Sequence, residues 1–231
     1  MHALIIGGSG RTGKLVVEEL LKREHRVTAL IRNPTSMKDF GRIDVVKGIS
    51  FLSVQLHSLR SPTELADVRQ AFAHRVPDVV VVTLNSPRAS ESPFAAPVSP
   101  PRLMADSNAN VVTAMKEFGV KKVVIMQAFG VGASWPNMAC LLRVLMSKTN
   151  MSYTYDDHNM TDQEVRESGV TYVMVRPSRL VETEIETVKE WPENGKGVPM
   201  MASTSRKSVA RFLVDAAETS RWDNTAPVIS N

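Results

Sequence analysis

The sequence has little of three features that would each mark a class of protein. Cysteine occurs once in 231 residues, at Cys140, so an internal disulfide framework is excluded and a reducing compartment, the cytoplasm, is expected. No run of about 18 apolar residues occurs, so no membrane-spanning helix is predicted. No basic segment precedes an apolar stretch at the N-terminus, so no secretory signal is predicted.

An excess of one charge is also missing. Lys and Arg total 28 against 24 Asp and Glu, which gives a net charge of +4. The basic residues alternate with acidic ones and form no stripe with aromatics, so no nucleic-acid surface is predicted. The five histidines show no spacing typical of metal ligands, so no metal site is predicted. A mild positive charge suits an anionic cofactor. The expected substrate is a small molecule.

The sequence does contain a regular alternation of apolar strands and amphipathic helices. Apolar runs rich in Val and Ile indicate strands that are buried on both faces, as in a parallel sheet. Strands are predicted at 2–7, 26–32, 42–48, 78–85, 121–127 and 171–177, and helices at 11–24, 62–75, 101–119, 158–168 and 205–220. The sequence APVIS near the C-terminus is interpreted as a short edge strand. The alternation predicts one doubly wound α/β domain over residues 1–231, as a monomer or a homodimer.

Two stretches interrupt this alternation. Residues 85–101 contain five prolines and are predicted to be neither a helix nor a central strand, within a substrate-side loop predicted at 85–104. Residues 181–205 have no regular pattern, and we expect a small irregular lobe over the strand ends, where open α/β sheets bind ligands. Both stretches are predicted to border a substrate.

Four residues are candidate substrate contacts. Arg88 and Phe94 lie in the first of these stretches, which we interpret as a lid. Phe129 and Trp135 lie after the fifth strand, in a segment rich in Met and Leu. Together they suggest an apolar pocket for a lipophilic substrate.

The sequence GGSGRTG joins the first predicted strand to the first predicted helix. Its three spaced glycines suit a dinucleotide site: the first permits a tight turn, the second lets a pyrophosphate approach, and the third lets the helix pack on the strand. The N-terminus of the helix offers free N–H groups to the phosphates. The predicted contacts are Gly7, Gly8, Ser9, Gly10, Arg11, Thr12 and Gly13.

The end of the second predicted strand indicates which dinucleotide binds. Proteins that prefer NAD usually carry an acidic residue there, on the ribose 2′-hydroxyl. This chain carries Arg32, with no Asp or Glu beside it. A guanidinium suits a 2′-phosphate, so the predicted cofactor is NADP(H).

The stretch IIGGSGRTGKLVVEELLKREHRVTALIRNP resembles the atypical short-chain dehydrogenase/reductase group, in particular its NmrA-like and biliverdin-IX-beta-reductase-like NAD(P)H-binding members. GVKKVVIMQAFGVG resembles their fifth strand, and VRESGVTYVMVRPSRL their sixth. The resemblance implies a Rossmann fold and a bound NADP(H). It also implies cofactor contacts along Leu84, Asn85, Gln127, Ala128, Pro177 and Ser178.

The chain departs from this group at the residues that transfer the proton. Short-chain reductases use Tyr-x-x-x-Lys, and no such motif occurs in TYDDHNMTDQEV, where His158 stands at the position of the Lys. Tyr155, His158 and Asp156 are the catalytic candidates, because a His titrates near neutral pH and a carboxylate can orient its ring. An alternative interpretation makes Asp156 or Asp157 the N-cap of the helix that follows.

Three functions follow, in this order of preference. The first is an NADPH-dependent reductase of a small lipophilic carbonyl or activated alkene, with Tyr155 or His158 assisting proton transfer. The second is a cyclase, isomerase or dehydratase of natural-product metabolism that works by acid–base chemistry. The third is an NADP(H)-sensing regulator without catalysis.

Overall fold

The computed structural model describes residues 1–31, 44–46 and 61–231. Strands β1 to β10 are His2–Ile6, Arg26–Leu30, Asp44–Val46, Val79–Val82, Lys122–Met126, Thr171–Pro177, Arg179–Val181, Lys189–Trp191, Ser203–Ser205 and Val228–Ser230. Helices α1 to α6 are Arg11–Lys22, Leu65–His74, Leu103–Phe118, Cys140–Lys148, Met151–Glu167 and Arg206–Glu218. A 3-10 helix, Gly132–Asn137, precedes α4.

The strands form one large sheet with the order β3-β2-β1-β4-β5-β6-β10-β8. Every pairing in this sheet is parallel except that of β10 with β8. The chain runs outward from β1 to β3, then returns to β4 on the other side of β1. This reversal leaves a crevice at the carboxyl ends of β1 and β4, where such sheets bind ligands. The predicted doubly wound α/β fold is confirmed.

Both faces of the sheet are covered by helices, which explains the near-continuous apolar strands. In β1, Ala3 and Ile5 point to a core shared with α1 and α6, and Leu4 and Ile6 point to a core shared with α2, α3 and α5. This alternation is the side-chain period of two expected of a strand. All four residues are at most 1% exposed, so each face contributes fully to the burial of apolar surface.

Three predictions about the elements need correction. The APVIS strand, β10, is not at the edge of the sheet but lies between β6 and β8. The stretch 181–205 is only partly irregular: it holds β8, which pairs with β10, and β9, which pairs with β7 in a separate two-stranded sheet. The helix predicted at 158–168 begins seven residues earlier, at Met151, and α4 was not predicted at all. The prediction begins this helix too late because it interprets Asp156 or Asp157 as the N-cap, whereas both lie inside α5.

None of the described helices is long and apolar enough to cross a lipid bilayer. Across residues 1–31 and 61–231, whose side chains are described, no group of three or more His, Cys, Asp or Glu side chains is placed to hold a metal ion.

Candidate active site

The glycine turn between β1 and α1 is packed too closely for side chains at two of its positions. Gly7 has φ +86°, and a Cβ on it would lie 2.9 Å from the backbone carbonyl of Thr83, the residue that follows β4. A Cβ on Gly13 would lie 2.2 Å from the oxygen of Gly7 and 2.8 Å from the Cα of Gly8. These contacts bring the first turn of α1 directly against the end of β1.

The N-terminus of α1 is free to receive an anion. Gly10 occupies its N-cap position with extended backbone, and no side chain of the described residues caps the helix. A Cβ on Gly10 would meet only the oxygen of Gly7, at 3.3 Å, so the space in front of the helix is open. Uncapped N–H groups and the positive end of the helix dipole there favour a phosphate group.

The seven residues of the turn divide into two groups. Gly8 faces inward, where a Cβ would lie 3.1 Å from the side chain of Ile5, and Gly13 packs under the turn. The other five, Gly7, Ser9, Gly10, Arg11 and Thr12, line a cleft of about 880 Å³. The first group therefore shapes the turn, while the second faces the space that a cofactor would fill.

The cleft continues from the turn across the carboxyl ends of β1, β4, β5 and β6. All six positions implied by the family resemblance line it: Leu84, Asn85, Gln127, Ala128, Pro177 and Ser178. Its far end is formed by Phe129, Tyr155 and His158. Arg32, the predicted contact for a 2′-phosphate, lies outside the described residues.

Tyr155 lines the cleft from the second turn of α5. Its hydroxyl donates a hydrogen bond to the backbone oxygen of Phe129 at 3.0 Å. Burial raises the pKa of Tyr155 to about 12, so the phenol is protonated at neutral pH. The side chain is thus held in one orientation with its proton in place.

His158 lies one helical turn further along α5 and is 6% exposed. Burial lowers the pKa of His158 to about 4, although the charge of neighbouring Asp157 opposes this shift. Its ring is therefore neutral at pH 7, so this residue of the cleft lining carries a hydrogen-bonding group and not a cation. The backbone oxygen of His158 accepts a hydrogen bond from Gln127 Nε2 at 3.2 Å, which links α5 to the end of β5.

The two adjacent aspartates of α5 have unlike surroundings, and neither is the predicted N-cap, because both lie inside the helix. Asp156 is exposed and does not line the cleft, which places it away from the candidate reaction site. Asp157 is buried and accepts hydrogen bonds from the N–H groups of Met104 and Ala105, both at 2.9 Å, and from Ser86 Oγ at 2.8 Å. Asp157 therefore caps α3, a helix that has no cap of its own.

Only two of the four predicted substrate contacts line the cleft. Arg88 and Phe129 line the cleft, whereas Phe94 and Trp135 do not. Phe94 is 71% exposed on the outer surface of its loop. Trp135 packs edge-on against the ring of Tyr155, with 6.0 Å between the ring centroids, and so supports the wall of the cleft from behind.

Sequence reasoning missed one charged residue of the cofactor half. Arg206, the first residue of α6, lines the cleft and donates a hydrogen bond from Nη1 to Thr12 Oγ1 at 3.0 Å. Its Nε also donates to Glu182 at 2.6 Å, and its side chain is only 12% exposed. The only signal in the sequence was an Arg at the start of a predicted helix, which does not indicate what that helix end faces.

Methionine is frequent in the substrate half of the cleft. Six methionines line the cleft: Met126, Met138, Met146, Met151, Met200 and Met201. They come from β5, α4, α5 and the loops that follow β5 and β8. Flexible thioether side chains from so many elements make an adaptable apolar wall.

Comparison with known proteins agrees with this geometry. A family model described as NAD(P)H-binding matches residues 7–220. A curated relative, the chloroplastic divinyl chlorophyllide a 8-vinyl-reductase of Arabidopsis thaliana, is 23% identical over 243 residues, which cover 99% of this chain and 53% of the relative. The chain thus spans about half the length of that relative.

Solved structures share the fold at low sequence identity. The anaerobilin reductase ChuY of Escherichia coli has a TM-score of 0.75 at 13% identity, covering 100% of this chain and 97% of ChuY. A short-chain dehydrogenase/reductase of Veillonella parvula, solved in complex with NADP, has a TM-score of 0.73 at 16% identity, covering 100% and 94% of the two chains. With the family model, these likenesses bear out the resemblance to the atypical short-chain dehydrogenase/reductase group. The chain belongs to the NAD(P)H-binding family.

Proposed function

We propose that the protein is an NADPH-dependent oxidoreductase that reduces a small, lipophilic carbonyl or activated alkene. The observation that carries the proposal is the continuity of one cleft, which runs from the uncapped N-terminus of α1 to Tyr155 and His158. The names of the relatives support reduction as the reaction class, since one is a vinyl-reductase and another an anaerobilin reductase. A vinyl group is an alkene, which supports the second type of acceptor.

The cofactor half of the cleft fits a dinucleotide. The pyrophosphate would lie in front of α1, over Gly10, with Arg206 on one side as a partly buried cation. Arg11 stands at the mouth of the same half, in an ion pair with Glu91 at 2.7 Å. For the 2′-phosphate we propose Arg32, from its place after the second strand. A relative crystallised with NADP is consistent with this choice.

Bound NADPH would supply the hydride, and the residues of the chain would manage the proton. Because His158 is neutral, its ring N–H can hydrogen-bond the acceptor oxygen and stabilise the negative charge that develops there. Tyr155 then gives up its hydrogen bond to the oxygen of Phe129, donates its hydroxyl proton to the alkoxide and regains a proton from water. Even with a pKa of about 12, a phenol is a stronger acid than the alcohol that forms, so the transfer is downhill.

A turnover assay tests the proposal. The protein is incubated with NADPH and a panel of apolar aldehydes, ketones and conjugated enones, and the reduced-nicotinamide absorbance is followed. We expect oxidation of NADPH with at least one acceptor, and a fall in kcat of about 10²-fold or more for Tyr155→Phe with a smaller change in KM. Tight NADPH binding without any oxidation would overturn the proposal and favour a cofactor-sensing regulator.

Calorimetry tests the choice of cofactor separately. We expect NADPH to bind at least about tenfold more tightly than NADH, because a charge-assisted contact to the 2′-phosphate is lost with NADH. Arg32→Glu should abolish this preference and leave NADH binding nearly unchanged. Equal affinity of the wild-type protein for both nucleotides would contradict the NADP(H) assignment.

A second candidate, a non-redox isomerase, cyclase or dehydratase, is favoured by one observation. Counted forward from Tyr155 as the tyrosine of the motif, the fourth residue is Asn159 and not Lys, and its Oδ1 accepts a hydrogen bond from the N–H of Gly132 at 2.9 Å. The phenol therefore has no cation from this motif to lower its pKa. A product with the same mass as the substrate, formed without oxidation of NADPH, would favour this candidate.

A further inference from the structure

Arg88 lines the cleft but has no acidic partner among the residues that the structure describes. Its Nη1 donates to the thioether sulfur of Met151 at the start of α5. Its Nε is buried and has no hydrogen-bond partner within residues 1–31 and 61–231. A guanidinium presents five donors, and a thioether sulfur is only a weak acceptor for them. Arg88 therefore lacks, among the described residues, the anion that a guanidinium binds best.

The other charged side chains of the cleft are in different situations. Arg11 is paired with Glu91, and Arg206 with Glu182. Arg179, on β7, is exposed, so water can solvate it. Arg88 alone of these arginines combines partial burial with the absence of a carboxylate within the described part of the chain. Arg88 is half-buried, so part of its guanidinium is removed from water without a compensating carboxylate, and a bound anion would supply that partner.

The backbone that carries Arg88 is held in place. Pro87 and Ala89 pair with Val98 and Ala96 across the loop, through hydrogen bonds of 3.1 and 2.9 Å. The base of the loop is fixed by Ser86 Oγ, which donates to Asp157. The unpaired guanidinium is thus a positioned group and not the end of a free loop, as a specific binding site requires.

The contact with Met151 also gives Arg88 a position relative to the candidate reaction site. Tyr155 and His158 follow Met151 by four and seven residues on one face of α5. At 1.5 Å per residue these positions lie about 6 and 10 Å along the helix from Met151. A group bound by Arg88 would therefore stand about that distance from the atom that reacts.

We propose that Arg88 binds a carboxylate of the substrate, which makes the substrate an apolar organic acid. Its apolar body would lie along Met138, Leu142 and Met146, and the group to be transformed would lie at Tyr155 and His158, about 6–10 Å from the carboxylate. This inference rests on the proposed function for the identity of the reacting group. The site itself, a half-buried cation in a cleft with many apolar side chains, needs only a carboxylate.

Binding of decanoate and of its methyl ester tests the site without catalysis. Calorimetry is done on the full chain with and without NADPH. We expect decanoate to bind at least about tenfold more tightly than methyl decanoate, because only the acid can accept charge-assisted hydrogen bonds from Arg88. Arg88→Gln and Arg88→Met should remove this difference, and Arg88→Lys should keep part of it. Methyl decanoate should bind all four proteins within about twofold.

Arg143→Gln is the matched control. Arg143 also has a buried Nε without a partner in the described part of the chain and contacts a sulfur, Cys140 Sγ at 3.3 Å, but it does not line the cleft. Its replacement should leave the preference for decanoate unchanged. Equal binding of acid and ester by the wild-type protein, or a preference that survives both Arg88→Gln and Arg88→Met, would overturn the inference.

Turnover of suberic semialdehyde and its methyl ester separates this inference from the proposed function. A kcat/KM at least about tenfold higher for the acid, lost in Arg88→Gln, supports both. Arg88-dependent binding of decanoate without oxidation of NADPH supports the carboxylate site and contradicts the reductase. Equal reduction of acid and ester supports the reductase and contradicts the carboxylate site.

Discussion

The two halves of the cleft differ in whether backbone or side chains line them. The half at the glycine turn is mostly backbone from one short segment, residues 7–13, whose shape depends on missing side chains. The half at Tyr155 is mostly side chains, from the loop after β4, from β5 and from α4 and α5. The first half can be rigid and general, as a cofactor site shared by many enzymes should be. The second can differ between relatives without disturbing the sheet.

The difference between the two halves of the cleft is tested most strongly at the glycine turn. Gly13→Ala should unfold the turn, because its Cβ would lie 2.2 Å from a backbone oxygen, which cannot shift as cheaply as the end of a flexible side chain. We expect a loss of several kcal/mol in the free energy of unfolding and a loss of NADPH affinity of more than about 100-fold. Urea denaturation and calorimetry measure the two effects.

Gly10→Ala is the matched control for that prediction. Its Cβ would lie 3.3 Å from the same oxygen, with open space in front of it, and its backbone is already extended. We expect nearly wild-type stability but weaker NADPH binding, because the methyl group enters the space proposed for the pyrophosphate. If Gly10→Ala and Gly13→Ala behaved alike, the division between shaping and binding positions would be wrong.

The same difference explains what could be predicted from the sequence. Strand, glycine turn and helix are neighbours along the chain, so the cofactor half follows from local pattern and from resemblance. The substrate half depends on contacts between residues far apart in sequence: Arg88 meets Met151 across 63 residues, and Asp157 meets Met104 across 53. Trp135 and Phe94 have side chains of the type expected in a pocket, but tertiary packing directs both away from it.

His158 in the substrate half should make stability depend on pH. Its pKa of about 4 in the folded protein lies below the ordinary value of 6.5, so the unfolded chain binds the proton more readily. As pH falls from about 6.5 to about 4, the free energy of unfolding should drop by about 3 kcal/mol more than it would without this group. Urea denaturation across this pH range measures the slope.

His158→Gln should remove that contribution and flatten the slope. His74→Gln, at an exposed position near the end of α2, is the control and should keep the wild-type pH dependence. If His158→Gln left the slope of the free energy of unfolding against pH unchanged, the ring of His158 would be hydrated in the folded protein. That result would contradict the neutral hydrogen-bond donor proposed for the reaction.

The paired aspartates of α5 give a smaller but well-controlled effect. Asp157→Asn keeps the shape of the side chain but replaces one acceptor oxygen by a donor, so an N–H of α3 is left unsatisfied in a buried position. We expect a loss of about 2 kcal/mol in stability. The exposed neighbour gives the control: Asp156→Asn should change stability by less than about 0.5 kcal/mol. Equal effects of the two changes in thermal unfolding would contradict the capping role.

The smallest expected effect lies where the two halves meet, at the ion pair of Arg11 with Glu91. The two side chains are 62% and 85% exposed, so Glu91→Gln should change stability by less than about 0.5 kcal/mol. The change frees a cation at the mouth of the cofactor half and should tighten NADPH binding about twofold at low salt, with no gain at high salt. Arg11→Gln should do the opposite. Weaker NADPH binding by Glu91→Gln would mean that the loop must stay tied to the turn when cofactor is bound, and that the two halves act as one.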